Sequence, residues 1–159
     1  MFSIGDKIVY PMHGAGIIES IEEKEILGEK KRYYVMKMPV GDMKVMIPIN
    51  NVDGIGIRDI IDKKDADKVF ESLGKRCDEQ TSNWNKRYRE NMSKIKSGNI
   101  FEVAEVVKSL VTRERNRGLS TGERKMLNSA KQILISELVL AKNMNPVDVE
   151  DIINEKIST

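Results

Sequence analysis

The hydrophobic pattern of this chain changes its period once, at the polar run Asp62-Lys63-Lys64-Asp65. Before this run, apolar residues often alternate over short stretches, which is the two-residue period of β-strands. After it, they recur every three or four residues, as they do on α-helices. We therefore predict an α+β protein with one domain over residues 1–62 and a second over residues 63–159, joined closely because the run is short.

The N-terminal part predicts a small all-β unit. Its short stretches are rich in Val, Ile and Tyr and are separated by turn signals containing Gly, Pro or Asp. The predicted strands are Lys7–Tyr10, Gly16–Glu23, Arg32–Met38, Lys44–Ile49 and Ile55–Ile61. Five short strands joined by tight turns favour a strongly bent antiparallel sheet, and we expect a Tudor- or SH3-like β-barrel.

Pro48 marks the strand Lys44–Ile49, because proline has no N–H for a strand ladder. This strand should therefore end there or lie at an edge of the sheet. An edge that carries Met46 and Pro48 could pair with a strand of a partner protein. It could equally be covered by the second domain.

The C-terminal part predicts a compact bundle of five helices. Their approximate positions are Asp65–Gly74, Thr81–Gly98, Asn99–Asn116, Ser120–Asn143 and a last helix opened by Asn145-Pro146. The fourth start is the clearest, because Ser120 with Glu123 three residues later forms a capping box.

The second of these helices carries the only tryptophan, Trp84, in its first turn. One helical stripe is apolar, comprising Trp84, Tyr88, Met92 and Ile95. Basic residues flank it, with Arg87 and Lys94 on one side and Arg89 and Lys96 on the other, and Lys86 lies beyond them. An aromatic ring bordered by cations suits a nucleic acid, because cations meet phosphates and the ring meets bases. The alternative is a core tryptophan whose basic neighbours are a solvated rim.

Composition excludes several classes of protein. The net charge of +2 is far from that of a histone-like polycation, and the basic excess lies in the second part. The single cysteine, Cys77, excludes an internal disulfide, and we interpret it as a packing residue. No apolar run has the length of a membrane span, and the start lacks the features of a signal peptide. We expect a cytoplasmic protein.

Catalytic and metal-binding sets are missing from the sequence. His13 is the only histidine, and it has no evident serine or cysteine partner in its segment. No metal-ligand spacing occurs, and the glycines after His13 do not have the spacing of a nucleotide-binding loop. We therefore expect a binding protein without enzymatic activity, metal or cofactor.

Several motifs in order resemble the CarD/CdnL family of bacterial transcription regulators. They are Gly5–Pro11 with His13, Gly14 and Gly16; Met46–Pro48 with Asn51; Ser82–Arg89; Ala104–Val107; and Gly118–Ser120 with Gly122–Leu127. The match runs along essentially the whole chain. The first motif by itself would suggest only the wider class that includes the polymerase-interacting module of transcription-repair coupling factors.

The resemblance implies a Tudor-like domain that docks on the β subunit of RNA polymerase, and a helical domain that lies over promoter DNA at the upstream edge of the bubble. It implies that a wedge tryptophan, here Trp84, stabilises the open complex, notably at ribosomal RNA promoters. The expected DNA-binding residues are Trp84, Lys86, Arg87, Arg89, Met92 and Arg124. The expected polymerase-binding residues are Lys24, Met46 and Pro48.

One position departs from the family pattern. Some members carry an arginine where this chain has Met46, so an apolar polymerase contact is favoured there over an ionic one. The competing hypothesis is a protein–protein adaptor without direct DNA contact, in which Trp84 belongs to a core or a protein interface. We expect a monomer in solution.

Overall fold

A computed structural model describes residues 2–76 and 80–157 of the chain. The strands are β1 (Lys7–Tyr10), β2 (Gly14–Ile26), β3 (Glu29–Lys37), β4 (Lys44–Pro48) and β5 (Arg58–Asp59). The helices are α1 (Val52–Ile55), α2 (Lys63–Leu73), α3 (Trp84–Lys96), α4 (Ile100–Asn116), α5 (Thr121–Lys142) and α6 (Pro146–Ile157). Cys77 lies outside the described residues, so its interpretation as a packing residue stays a prediction.

The five strands form one antiparallel sheet with the order β4-β3-β2-β1-β5. The β2–β3 hairpin turns at Leu27 and Gly28, whose φ angles of 53° and 80° are those of a type I′ turn. One core covers a face of this sheet and is built from Ile8, Ile18, Tyr34, Met36, Met38 and Ile47. The α+β class is therefore confirmed.

The predicted barrel closure is wrong, because the sheet is open. β4 and β5 lie at opposite edges, and β5 contains only two residues. The predicted strand Ile55–Ile61 is short because the chain after Pro48 coils into a 3₁₀ turn (Ile49–Asn51) and then α1. Gly56, with φ of 84°, ends α1 in the left-handed conformation. The position of β4 at an edge, ending at Pro48, agrees with the missing N–H of that residue.

The five helices predicted after residue 62 are all present in the described ranges, and α1 is an additional short helix. Four of them begin at residues whose side chains accept a hydrogen bond from the first turn, namely Asp62, Asn83, Asn99 and Ser120. Their shared core centres on α4 and α5, with Leu110, Leu134 and Leu138 fully buried. Among the described residues, no helix is both long and apolar enough to cross a membrane.

The sheet and the helical domain meet where α5 packs against β2. We call the five residues Gly14, Ala15, Arg58, Ser136 and Glu137 the domain junction. Ser136 Oγ accepts a hydrogen bond from the Ala15 N–H at 2.8 Å. The Glu137 carboxylate accepts from both terminal nitrogens of Arg58, at 2.8 and 2.7 Å, and from the Ile61 N–H at 2.9 Å. The helical domain is therefore held to the sheet by polar contacts at fixed positions.

Candidate nucleic-acid interface

Trp84 is the first residue of α3, and its side chain is 42% exposed. Asn83 sets this start, because its side-chain oxygen accepts a hydrogen bond from the Lys86 N–H at 3.2 Å. Helical side chains point toward the N-terminal end, so a side chain in the first turn extends past the helix start, where no preceding turn covers it. Ile95, about three turns further on, is buried in the core of the helical domain.

The exposed indole is nevertheless held on two sides. Its ring stacks on Tyr88 with a centroid separation of 5.0 Å and an interplanar angle of 21°. Its Nε1–H donates to Ser120 Oγ, at the start of α5, at 3.1 Å. A Cβ atom on Gly122 would lie 3.6 Å from the indole, so the ring also borders the α5 backbone.

The placement of Arg87 corrects the predicted set of phosphate-binding residues. Arg87 is 2% exposed and forms a two-pronged ion pair with Glu123, which is equally buried. The Nε–Oε2 and Nη2–Oε1 distances are 2.9 and 3.1 Å, and Nη1 donates to the Thr81 carbonyl at 3.1 Å. Because Arg87 is buried and its guanidinium bonds to groups inside the protein, it is not presented to a phosphate at the surface.

This ion pair also sets the ionisation of Glu123. The hydrogen bond from Arg87 holds the pKa of Glu123 below its ordinary value, with further lowering by the charges of Arg87 and Arg113. Burial acts in the opposite direction and raises the pKa, but the net shift is downward. Glu123 is therefore a carboxylate at neutral pH, and its negative charge offsets the positive charge of Arg87.

The other predicted cations differ in whether they form salt bridges within the protein. Lys86 and Arg89 are exposed on α3, and within residues 2–76 and 80–157 neither forms a salt bridge. Arg124 is exposed but pairs with Glu114 at 3.3 Å. Met92 is half-buried and, together with Tyr88, Arg89 and Lys96, lines a shallow depression of about 380 Å³. Thus Lys86 and Arg89 are exposed and form no salt bridge among the described residues. Arg124 is paired, Met92 is partly covered, and Trp84 is exposed but held by its neighbours.

The residues predicted to bind the polymerase lie on the sheet. Lys24 is exposed on β2, opposite Lys31 of β3. Met46 and Pro48 are half-buried on β4, opposite Val35 and Tyr33. Because side chains alternate along a strand, Met46 points away from the core face that holds Ile47. α5 packs against β2, in the middle of the sheet. The edge strand β4 therefore does not form the main contact with the helical domain.

Two residues at this surface, Ser120 and Glu123, have long-range partners that the sequence does not predict. Ser120 and Glu123 have the pattern of a capping box, and the cap is present, with the Glu123 N–H donating to Ser120 Oγ at 3.2 Å. Their contacts with Trp84 and Arg87 cross 36 residues of sequence. No local pattern indicates such a partner, so these contacts were not predictable from spacing.

The described part of the chain contains no group of three or more His, Cys, Asp or Glu residues that could hold a metal ion. The exposed part of α3 carries an aromatic ring, held by a hydrogen-bonded serine, and two cations that form no salt bridge among the described residues. Such a set can bind by stacking and by charge.

Sequence comparisons match both parts of the chain. Residues 68–154 match the family described as "CarD, C-terminal domain", and residues 2–61 match the "CarD-like/TRCF RID domain". A protein of Bacillus subtilis (strain 168), named "Putative transcription factor YdeB", is 43% identical over 150 residues, which is 94% of this chain and 98% of that protein.

A solved structure is also similar, the solution NMR structure of the 72-residue N-terminal domain of Myxococcus xanthus CarD. It is 32% identical and covers 37% of this chain and 79% of its own, with a TM-score of 0.33, so it carries no argument about the fold. The two family matches and the Bacillus relative carry the assignment. The chain belongs to the CarD family, a non-enzymatic family of transcription factors.

Proposed function

We propose that this protein docks on the β subunit of bacterial RNA polymerase and stabilises the promoter open complex, notably at ribosomal RNA promoters. In this proposal it acts in the cytoplasm as a monomer, on the nucleoid through the polymerase. The match of residues 2–61 to the RID domain supports a polymerase-interacting role for the sheet. Lys24, Met46 and Pro48 are the proposed contacts, and the exposed edge of β4 supports strand pairing with the partner.

The observation that carries the DNA contact is the exposed Trp84 ring at the start of α3, a helix whose first two turns also carry the exposed cations Lys86 and Arg89. In the proposed complex the indole stacks at the upstream edge of the melted region, and the two cations meet phosphates. Met92 contributes apolar contact, and Arg124 joins after it exchanges Glu114 for a phosphate. Arg87 has no direct contact, for the reason given above.

The expected energies suit a regulator. Stacking of an aromatic side chain on a base contributes about 1–3 kcal/mol. About 1.4 kcal/mol shifts an opening equilibrium tenfold. Because phosphate contacts and stacking carry little sequence information, we propose that binding does not read the DNA sequence. The near-neutral net charge of +2 supports weak binding to free DNA, so that the polymerase concentrates the protein at promoters.

The test is the lifetime of the open complex on a ribosomal promoter with purified bacterial polymerase. It compares the wild-type protein with Trp84→Ala and with the control Phe101→Ala, which removes another exposed aromatic side chain from a first helical turn. All three proteins are first shown to unfold at similar temperatures. We expect the wild type and Phe101→Ala to lengthen the lifetime and Trp84→Ala to lose most of that effect.

Two outcomes contradict the proposal. If Trp84→Ala lengthens the lifetime as the wild type does, the indole is not the DNA contact. If the wild type has no effect on the lifetime but still binds the polymerase, the protein is an adaptor between proteins.

A further inference from the structure

We propose that Ser120, Glu123 and Arg87 are positioning residues that hold the indole of Trp84 in one orientation before DNA arrives. The proposal rests on the proposed function, since it takes Trp84 as the group that meets DNA. It assigns the buried arginine a role that does not require contact with a phosphate.

The start of α3 and the start of α5 are joined by two contacts with the same spacing. Trp84 contacts Ser120 and, three residues later on each helix, Arg87 contacts Glu123. Residues three apart lie on the same side of a helix. The two helix starts therefore face each other, with one contact exposed and the other buried. Such a pair of contacts prevents either helix start from rotating independently of the other.

The directions of the hydrogen bonds are fixed by the ionised Glu123. A carboxylate can only accept, so the single hydroxyl proton of Ser120 is donated to Glu123 Oε1, at 3.3 Å. The Ser120 oxygen is then free to accept from the Trp84 Nε1–H and from the Glu123 N–H, at 3.1 and 3.2 Å. Each of these donated protons has one acceptor. The Trp84 indole is the most exposed group of the network.

The remaining freedom of the indole is limited by its neighbours. Tyr88 covers one ring face, and Gly122 leaves room for the ring edge against α5. A side chain that is already held in its binding orientation loses less rotamer freedom when it stacks on a base. The network thus raises the affinity of the wedge without touching DNA.

Tryptophan fluorescence tests this proposal directly, because Trp84 is the only tryptophan in the chain. The full-length protein is measured without DNA, by fluorescence anisotropy decay and by quenching with acrylamide. The variants are Ser120→Ala, which removes the acceptor, and Ser120→Thr, which retains a hydroxyl. The control is Asn99→Ala, which removes the helix cap of α4 and makes no contact with Trp84.

We expect Ser120→Ala to add a fast anisotropy component and to raise the quenching constant about two-fold, since an indole freed from its acceptor reorients within picoseconds to nanoseconds. Ser120→Thr and Asn99→Ala should resemble the wild type. In the open-complex assay, Ser120→Ala should shorten the lifetime about five-fold, as expected for one lost hydrogen bond.

The outcomes separate this proposal from the proposed function. Wild-type anisotropy and quenching in Ser120→Ala would overturn the positioning role, whatever the DNA assay gives. A freed indole in Ser120→Ala, combined with no effect of Trp84→Ala on the open complex, would support the positioning network and overturn the proposed function. If Asn99→Ala frees the indole as much as Ser120→Ala does, general loosening explains the result and the positioning role is overturned.

Discussion

Arg58 on the edge strand β5 and Glu137 in the last third of α5 form a two-pronged ion pair with N–O distances of 2.8 and 2.7 Å. Glu137 is almost fully buried, whereas Arg58 is about one-third exposed. The remaining Arg58 donor, Nε, reaches the Gly98 carbonyl between α3 and α4 at 2.9 Å. One arginine thus connects the sheet, the longest helix and the loop at the end of α3.

Glu137→Ala should therefore destabilise the protein by about 3–5 kcal/mol, because it leaves Arg58 and the Ile61 N–H without their buried acceptor. The measurement is urea unfolding followed by circular dichroism. Glu137→Gln is the matched control: it retains an acceptor for Ile61 and should lose less stability. A loss below about 1 kcal/mol in Glu137→Ala would contradict a structural role for the pair.

Gly14→Ala tests how closely the two parts of the chain approach each other. The added Cβ would lie 2.6 Å from Ser136 Oγ, and Gly14 has a φ of 108°. Gly28→Ala is the control, because Gly28 also has a positive φ, of 80°, but open space around it. We expect Gly28→Ala to cost about 1–2 kcal/mol from backbone strain. Gly14→Ala should cost a further 1–3 kcal/mol or so from overpacking. Equal losses in thermal unfolding would refute close packing at the domain junction.

Arg87→Met should be strongly destabilising, by about 3–5 kcal/mol, because it leaves the Glu123 carboxylate buried without its counter-charge. The double variant Arg87→Met/Glu123→Leu should lose much less than the sum of the two single variants. Urea unfolding of all four proteins gives the coupling energy. Additive losses would show that the two side chains do not act as a pair.

The pH dependence of stability provides a second test of this pair. A carboxyl group whose pKa is lower in the folded than in the unfolded protein stabilises the fold above the unfolded pKa, and this contribution disappears as the pH falls through the folded pKa. For Glu123 the unfolded value is about 4.5. The stability difference between wild type and Glu123→Gln should therefore be constant near neutral pH and shrink below about pH 4.5. A difference that stays constant down to pH 3 or so would contradict the lowered pKa.

Met46→Glu tests the proposed polymerase contact at the sheet edge. A charge on β4 should abolish co-purification with the β subunit, because desolvating it at an apolar contact is costly. Ile4→Glu, at an exposed apolar residue near the start of the chain, is the control and should retain binding. Both variants must give the wild-type circular-dichroism spectrum. Retained binding by Met46→Glu would refute this surface assignment.

Local signals predicted much of the fold. The capping residues and the proline of α6 determine helix starts through contacts within one turn, so the sequence places these starts to within a few residues. The prediction of a strand over Ile55–Ile61 was only partly right, because the apolar residues of this stretch are equally compatible with α1 and a short β5. Whether a sheet closes depends on how its edge strands meet, which is a property of the whole sheet.

At the surface around Trp84, too, local features are predicted from the sequence and long-range contacts are not. The sequence places Trp84, Lys86 and Arg89 on an exposed helix start, where they are found. The most buried residues of α3 are Arg87, Asn91 and Ile95, at four-residue spacing, and Tyr88 and Met92 are half-buried against the same core. Counting apolar residues misses Arg87 and Asn91, because an arginine and an asparagine become compatible with burial only through distant partners. For Arg87 that partner is Glu123, and Asn91 pairs with Gln80 at 2.8 Å.

The domain junction also has a thermodynamic consequence for any event that engages both parts of the molecule. Two domains on a flexible tether would lose their relative freedom only when the second contact forms, and that loss would weaken binding. Here folding has already removed this freedom through Arg58, Glu137 and Ser136. Once the sheet edge is bound, the distance and direction from β4 to Trp84 are set. Both surfaces of the protein can then bind at once only where the second target lies at that distance and in that direction from the first.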